Sequence, residues 1–354
     1  MKARVKKRTA LKIVIAGVCL IILIALYYQL LYKPQEVNSG IFILSKTLTG
    51  HSSDVWAAKF SADGELFASG SVDSTVRIYN KEGGLFKIIK QPQGITNIQF
   101  SPDGKYIATA SYDGKVRLWA ISGNLIKEFN YTGTVWTIDF SPDGKIIAGA
   151  GEDKTIKLWN VATGEPVATL KGHEANIWCI KFSRDGNKII SGSFDKTIKI
   201  WDVYTHVLLK TLTAHTQAIV DVAISPDDKT FASASDDKTI KIWDISNGDL
   251  LYSMEDGEEH VQGLAYNPDG SWLISSGRDK PMPGEFLQNI FGDSYFNKGI
   301  SMRLWNLKTH KVTQTFRHHA NDVNDVAFSP DGNFILSASS DKTVCLWMTK
   351  NAVK

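Results

Sequence analysis

The chain has little cysteine, and outside its first twelve residues it has no surplus of positive charge. Three cysteines in 354 residues are too few for a disulfide framework. Cys19 falls in an apolar run, and Cys179 and Cys345 fall in separate repeats. Lysine and arginine total 40 against 37 acidic residues, but six of the basic ones (Lys2, Arg4, Lys6, Lys7, Arg8 and Lys12) precede any acid and leave 34 for the rest. A surface without a basic excess gives phosphate backbones little to hold, so nucleic acid is not an expected partner. The chain also lacks a Gly-rich phosphate loop, a G-x-S-x-G nucleophile elbow and a Cys/His set at metal spacing. "HHAND" (318–322) and "EEH" (258–260) offer donor atoms at no recognised spacing, so neither a metal nor another cofactor is expected. "NYT" (130–132) is an N-glycosylation acceptor pattern, meaningful only in a eukaryotic secretory pathway.

One long hydrophobic run is present. Residues 13–32, "IVIAGVCLIILIALYYQLLY", carry no charge, and as a helix they would span roughly 30 Å, the thickness of a bilayer core. Six basic residues precede the run and only Lys33 follows closely. The positive-inside rule therefore predicts a cytoplasmic tail over 1–12, a transmembrane helix over 13–32 and everything beyond it on the non-cytoplasmic side. Tyr27, Tyr28 and Tyr32 would sit at the far interface. A cleaved signal peptide would need small residues where "YYQLLYKPQ" stands, and a lipoprotein would need a small residue where Val18 precedes Cys19. An uncleaved signal anchor is the reading these residues favour, and a buried soluble helix is disfavoured because this helix would be apolar all round.

The rest of the chain is periodic. A turn phrase recurs as "SADG" (61–64), "SPDG" (101–104), "SPDG" (141–144), "SRDG" (183–186), "SPDD" (225–228), "NPDG" (267–270) and "SPDG" (329–332), at intervals of 40, 40, 42, 42, 42 and 62 residues. Pro second and Gly fourth suit a type I turn. A strand such as "IWCIKF" (177–182) precedes each turn and one such as "KIISGS" (188–193) follows. A third, "KTIKIWD" (196–202), alternates β-branched residues as a strand with one packed face does. A fourth segment such as "PVATLKGH" (166–173) links successive copies. One four-stranded sheet cannot cover both its faces, whereas seven stacked radially bury one another.

From "GH" (172–173) to "WD" (201–202) the unit resembles the WD repeat, and the resemblance covers residues 41–350. It implies an all-β fold, a seven-bladed β-propeller, here preceded by the transmembrane α-helix and a linker (33–40). It also implies a structural tetrad of His, Ser, Asp and Trp within each blade. By position these are His173, Ser191, Asp195 and Trp201 in the fourth copy, His215, Ser233, Asp237 and Trp243 in the fifth, and His319, Ser337, Asp341 and Trp347 in the seventh. The first has His51, Ser69 and Asp73, with Tyr79 for Trp. Gln91, Tyr131 and Gly257 replace the histidine in copies two, three and six, which implies looser blades there, although Asp113, Asp153 and Asp279 remain. A hydrolase triad has no reason to recur in register with a fold period, so these sets read as packing devices.

The seventh copy ends after "KTVCLWM" (342–348), whereas "IFILSKTLTG" (41–50) is a fourth strand without the other three. The N-terminal strand is therefore expected to complete the last blade and remove an open edge. The 62-residue interval places twenty extra residues, 281–300, between the second and third strands of blade six. They include Phe286, Phe291 and Tyr295, and read either as a binding element or as a cap.

In WD-repeat proteins, partners are most often met on the face bearing the tetrad loops. Trp56, Trp136 and Trp178, near the starts of first strands, and Tyr112, Phe194 and Arg278, before the turn aspartates, would lie there. Trp and Tyr are common interface anchors, and the alternative is that these rings merely plug the channel mouth. The expected function is a membrane-tethered, non-enzymatic scaffold that recognises a protein or peptide partner. A small-ligand sensor or an enzyme using the channel mouth is the competing class.

Overall fold

In the computed structural model the described residues are 40–255, 260–277 and 302–352. By contacts the chain resolves into units 1–39 and 40–354. The anchor and the linker up to residue 39, and the insert 281–300 with Arg278, Phe286, Phe291 and Tyr295, lie outside the described residues. Within these no helix is long and apolar enough to cross a membrane.

Unit 40–354 is a seven-bladed β-propeller, seven antiparallel sheets of four strands each. Blade 1 runs Val55–Phe60, Leu66–Ser71, Thr75–Asn80 and Leu85–Lys90, and the others repeat it. First strands of neighbouring blades touch one another around the axis, and fourth strands form the rim, where Leu85, Phe86, Leu209 and Leu251 are exposed. The hydrophobic core lies between blades: Ala57, Val76 and Ile78 of blade 1, for example, pack with Ile95, Ile98 and Trp119 of blade 2. A blade removed from the ring would expose apolar surface on both flanks.

The repeated turn phrase works through its serine and aspartate. Ser61 Oγ–H donates to Asp63 Oδ1 at 2.6 Å and accepts the Leu66 N–H at 3.0 Å. The fourth residue needs a left-handed backbone, and Gly64 has φ 73°. Gly64 packs on Pro330 of the preceding blade, and Gly144, Gly186, Gly270 and Gly332 meet a proline in the same way. At the junction of blades 4 and 5 both partners change together. Arg184 replaces the proline, and Asp228, at φ 59°, replaces the glycine. The Asp228 carboxylate then accepts the N–H groups of Arg184 and Asp185 at 2.9 and 3.0 Å, the first of which a proline would lack.

Strand Phe42–Leu48 pairs antiparallel with Val344–Thr349, from Phe42 opposite Thr349 to Leu48 opposite Val344. It covers an edge that would otherwise be open for pairing with another chain. Gln314 of blade 6 clamps its start, with Oε1 accepting the Phe42 N–H at 3.0 Å and Nε2 donating to the Phe42 carbonyl at 2.7 Å.

Every first strand carries a β-bulge at its second residue. The pairing register slips between Val55 and Ala57, Ile177 and Cys179, Ile219 and Asp221, and at the equivalent places in the other blades. A bulge re-aims side chains. Here the second and fifth residues of every first strand line the channel, as do the third residues of blades 2–5 and 7, while the first residue (Val55 in blade 1) is buried in the blade.

Candidate functional site

In blade 4, His173 Nδ1 lies 2.7 Å from Asp195 Oδ2 and Nε2 lies 2.7 Å from Ser191 Oγ, which also receives the Trp201 indole N–H at 2.9 Å. Blade 5 repeats this with His215, Asp237, Ser233 and Trp243, and blade 7 with His319, Asp341, Ser337 and Trp347. His51, Asp73 and Ser69 do so in blade 1, where Tyr79 stacks on Phe67. Each network ties the loop before a blade to the turn between its second and third strands, which puts both on one face.

Burial pushes the Asp195 carboxyl up, but hydrogen bonds from His173, Thr197 and the Glu174 N–H outweigh it and hold the group far below the usual carboxylate range. The serines are fully buried, and in blades 4, 5 and 7 they are bonded from two sides, so no hydroxyl is presented to a substrate.

Blades 2 and 3 rebuild the network with other residues. In blade 2, Arg117 donates to Asp113 Oδ2 at 2.7 Å and to Glu128 Oε1 at 2.6 Å, while Thr109 and Arg117 both reach Gln91 Oε1. In blade 3, Tyr131 O–H donates to Asp153 Oδ1 and lies 2.9 Å from the Thr155 carbonyl. Lys157 pairs with Asp153 at 3.2 Å and lies over the Tyr131 ring. In blade 6, Trp305 Nε1 donates to Ser275 Oγ at 2.9 Å; Gly257 and Asp279 lie outside the described residues.

Five aromatic residues singled out above form one continuous cluster. Trp136 and Trp178 stack with centroids 4.6 Å apart, and Trp56 approaches them at 6.3 and 6.0 Å. Tyr112 meets Trp136 edge-on at 5.5 Å, and Phe194 lies 5.0 Å from Trp178. The three tryptophans occupy the bulge position, so they converge across the channel and are half-buried. Phe194 is 39 % exposed and Tyr112 half-exposed, on the tetrad side. The plugging of the mouth and the outward-facing rings are thus two parts of one feature.

Beneath the tryptophans lies a cavity of about 480 Å³. Its lining runs from the tryptophan tier to Pro142, Ser183 and Arg184 of the turn phrases, and includes neither Tyr112 nor Phe194. It therefore reaches the face opposite the tetrad loops. Its charged residues had not been singled out from sequence. Lys59 Nζ contacts both oxygens of Asp325 at 2.6 Å, and Asp325 Oδ2 also accepts the Ala58 N–H at 2.9 Å. Asp139 accepts from Gln99 Nε2 and from the Phe182 N–H, each at 2.8 Å. Asp221 accepts the Leu264 and Val222 N–H groups, each at 2.8 Å. Each carboxylate thus takes a backbone N–H from the next blade, stitching adjacent first strands.

Burial pushes the Asp221 carboxyl up to about 6, against the pull of Lys181 and Lys59. Burial lowers Lys181, but Asp139, Asp221 and Asp325 outweigh it and the ammonium is held above its ordinary range. The sequence signal for this cluster was a polar residue inside an otherwise apolar strand, as in "IVDVAI" and "IWCIKF". Among the described residues no group of three or more His, Cys, Asp or Glu is placed to hold a metal.

The profile of the family described as "WD domain, G-beta repeat" matches residues 42–80, 85–120, 123–160, 164–202, 206–244, 248–280 and 310–348. Short segments are similar to named proteins. The chain is 35% identical over 48 residues to human WD repeat-containing protein 36, covering 14% of this chain and 5% of that one. It is 40% identical over 53 residues to mouse apoptotic protease-activating factor 1, covering 15% and 4%. With ribosome assembly protein 4 of Saccharomyces cerevisiae it shares 50% over 48 residues, 13% and 9% of the two chains. The match thus spans less than a tenth of each of these relatives.

Proposed function

The chain belongs to the WD domain, G-beta repeat family, and from that premise we propose that it is a membrane-tethered scaffold whose tetrad-side face holds a protein or peptide partner. The observation that carries the reading is the aromatic cluster from Tyr112 to Phe194. Its inner rings are fixed by mutual stacking, so the outer rings lose little conformational freedom on docking, which is how aromatic anchors contribute most to an interface. Blades 5–7 present Asp236 and His260 on this face instead, 3.1 Å apart, which gives a polar flank to an aromatic centre. Ribosome assembly protein 4, a relative over one short segment, is named for an assembly role, and organising other proteins suits a propeller whose tetrad serines are buried.

The tether rests on the uncharged run 13–32 and the six basic residues before it. It would put the propeller on the non-cytoplasmic side and concentrate it near membrane partners. Two experiments test the reading. Alkaline extraction and protease protection of the full-length chain should leave it in the membrane fraction, with the propeller shielded from protease added on the cytoplasmic side. Proximity labelling should then lose discrete neighbours in the variant Tyr112→Ala/Phe194→Ala and keep them in Leu209→Ala on the rim. Release of the chain by alkali, or equal labelling in both variants, would remove the corresponding half of the proposal.

A further inference from the structure

We propose that the channel cavity is a second binding site, for a small amino-acid-like zwitterion whose ammonium group sits on Asp221 and whose carboxylate sits on Lys181. The cavity, about 480 Å³, falls within the range of roughly 300–1,000 Å³ usual for small-molecule sites. Two charged groups of the first strands facing it, Asp221 and Lys181, make no direct ion pair among the described residues. Asp325 is neutralised by Lys59, and Asp139 is bonded by Gln99. Asp221 receives only backbone N–H groups and forms no ion pair among the described residues. Lys181 lines the same cavity and has neither a hydrogen bond nor an ion pair there, although Asp139, Asp221 and Asp325 act on it at longer range. The Lys181 ammonium thus keeps its three donors, and the Asp221 carboxylate its remaining lone pairs, open to the cavity. One ligand bearing both signs completes both groups with charge-assisted hydrogen bonds, whereas a simple amine or a simple acid completes one.

Shape agrees with charge. At the fifth position of the first strand, blades 1–4 carry Lys59, Gln99, Asp139 and Lys181, whereas blades 5–7 carry Ala223, Ala265 and Ala327. The three alanines leave the space that the longer side chains fill on the other side. Trp56, Trp136 and Trp178 roof it, offering an apolar, polarisable surface to a ligand side chain. Arg184, the arginine that replaces the turn proline of blade 4, lines the outer end. Its Nε donates to the Ser225 carbonyl at 3.2 Å, and it forms no ion pair among the described residues, which leaves its charge to draw in the carboxylate end. This site and the proposed docking surface lie on opposite sides of the tryptophan tier, so either can fail without the other.

The test is calorimetric titration of the purified full-length chain with each common amino acid. The matching amine and the matching carboxylic acid of any binder (isopentylamine and isocaproate for leucine) are titrated alongside. The expected result is at least one amino acid that binds, with at least a tenfold loss for either half-molecule. The same loss is expected in Lys181→Met and in Asp221→Asn. Ala265→Leu, which fills the cavity without touching a charge, should abolish binding, and it decides the question with the half-molecules even if a charge variant does not fold. Absence of binding by every amino acid, equal binding of a half-molecule, or unchanged binding in Ala265→Leu would overturn the proposal.

Discussion

Blades 1–4 and blades 5–7 share one backbone, one turn phrase and one bulge, and differ most where their first strands face the channel. The first group supplies three tryptophans at the bulge and long side chains below them. The second supplies Val220, Gln262 and Asn324 at the bulge and alanines below, with Asp221 and Asp325 between. One half seals the channel from the tetrad side, and the other leaves room on the turn side. The contrast shows how a repeat architecture can hold its scaffold constant and vary a single file of side chains.

The contrast can be broken most severely at the ion pair that bridges the two groups. Lys59→Met leaves Asp325 enclosed without its cation and should cost about 3–5 kcal/mol, read from denaturant unfolding. Trp136→Ala removes the stacked centre of the roof and should cost about 2–3 kcal/mol, while Gln262→Ala at the same position of blade 6 should cost under about 1 kcal/mol.

A pH series sharpens the comparison further. Asp221 has its carboxyl raised to about 6 from an ordinary 3.8, so its contribution is fully present below the ordinary value and is lost as pH rises through 6. Asp221→Asn keeps an oxygen for the Leu264 N–H, and its stability relative to wild type should therefore rise by about 1–3 kcal/mol between pH 4 and pH 7. The tetrad carboxylates behave oppositely. Asp195 is held far below its ordinary range, so its contribution is present above pH ~4 and fades in acid. The smallest effect belongs to Phe194→Ala, which should change stability by less than about 0.5 kcal/mol while removing partner contacts.

Much of the fold was legible because the turn chemistry is local. Ser61, Asp63 and Gly64 fix their turn within four residues, and six further copies announce themselves at 40 to 62 residue intervals. The tetrad histidines were legible by position, since His173 precedes Asp195 by the same 22 residues that separate His215 from Asp237. What replaces a missing histidine was not: Arg117 reaches Asp113, Glu128 and Gln91 together, a convergence that depends on side-chain paths. The channel cluster was hidden for a similar reason. Asp139 and Phe182 meet only when blades 3 and 4 stack, and Asp325 and Ala58 only when the ring closes. The bulge also hid it, because simple alternation would not put the second and third residues of one strand on the same side.

The central claim is that the aromatic sector of the tetrad face is where another polypeptide docks. Its most direct test is site-specific photocrosslinking of the full-length chain in cells, with the photoreactive residue placed at Tyr112, at Phe194 or at Leu209 on the rim. We expect discrete crosslinked species of defined mass from the first two positions and none from the third. Identical products from all three positions, or none from Tyr112 and Phe194 in cells, would contradict it.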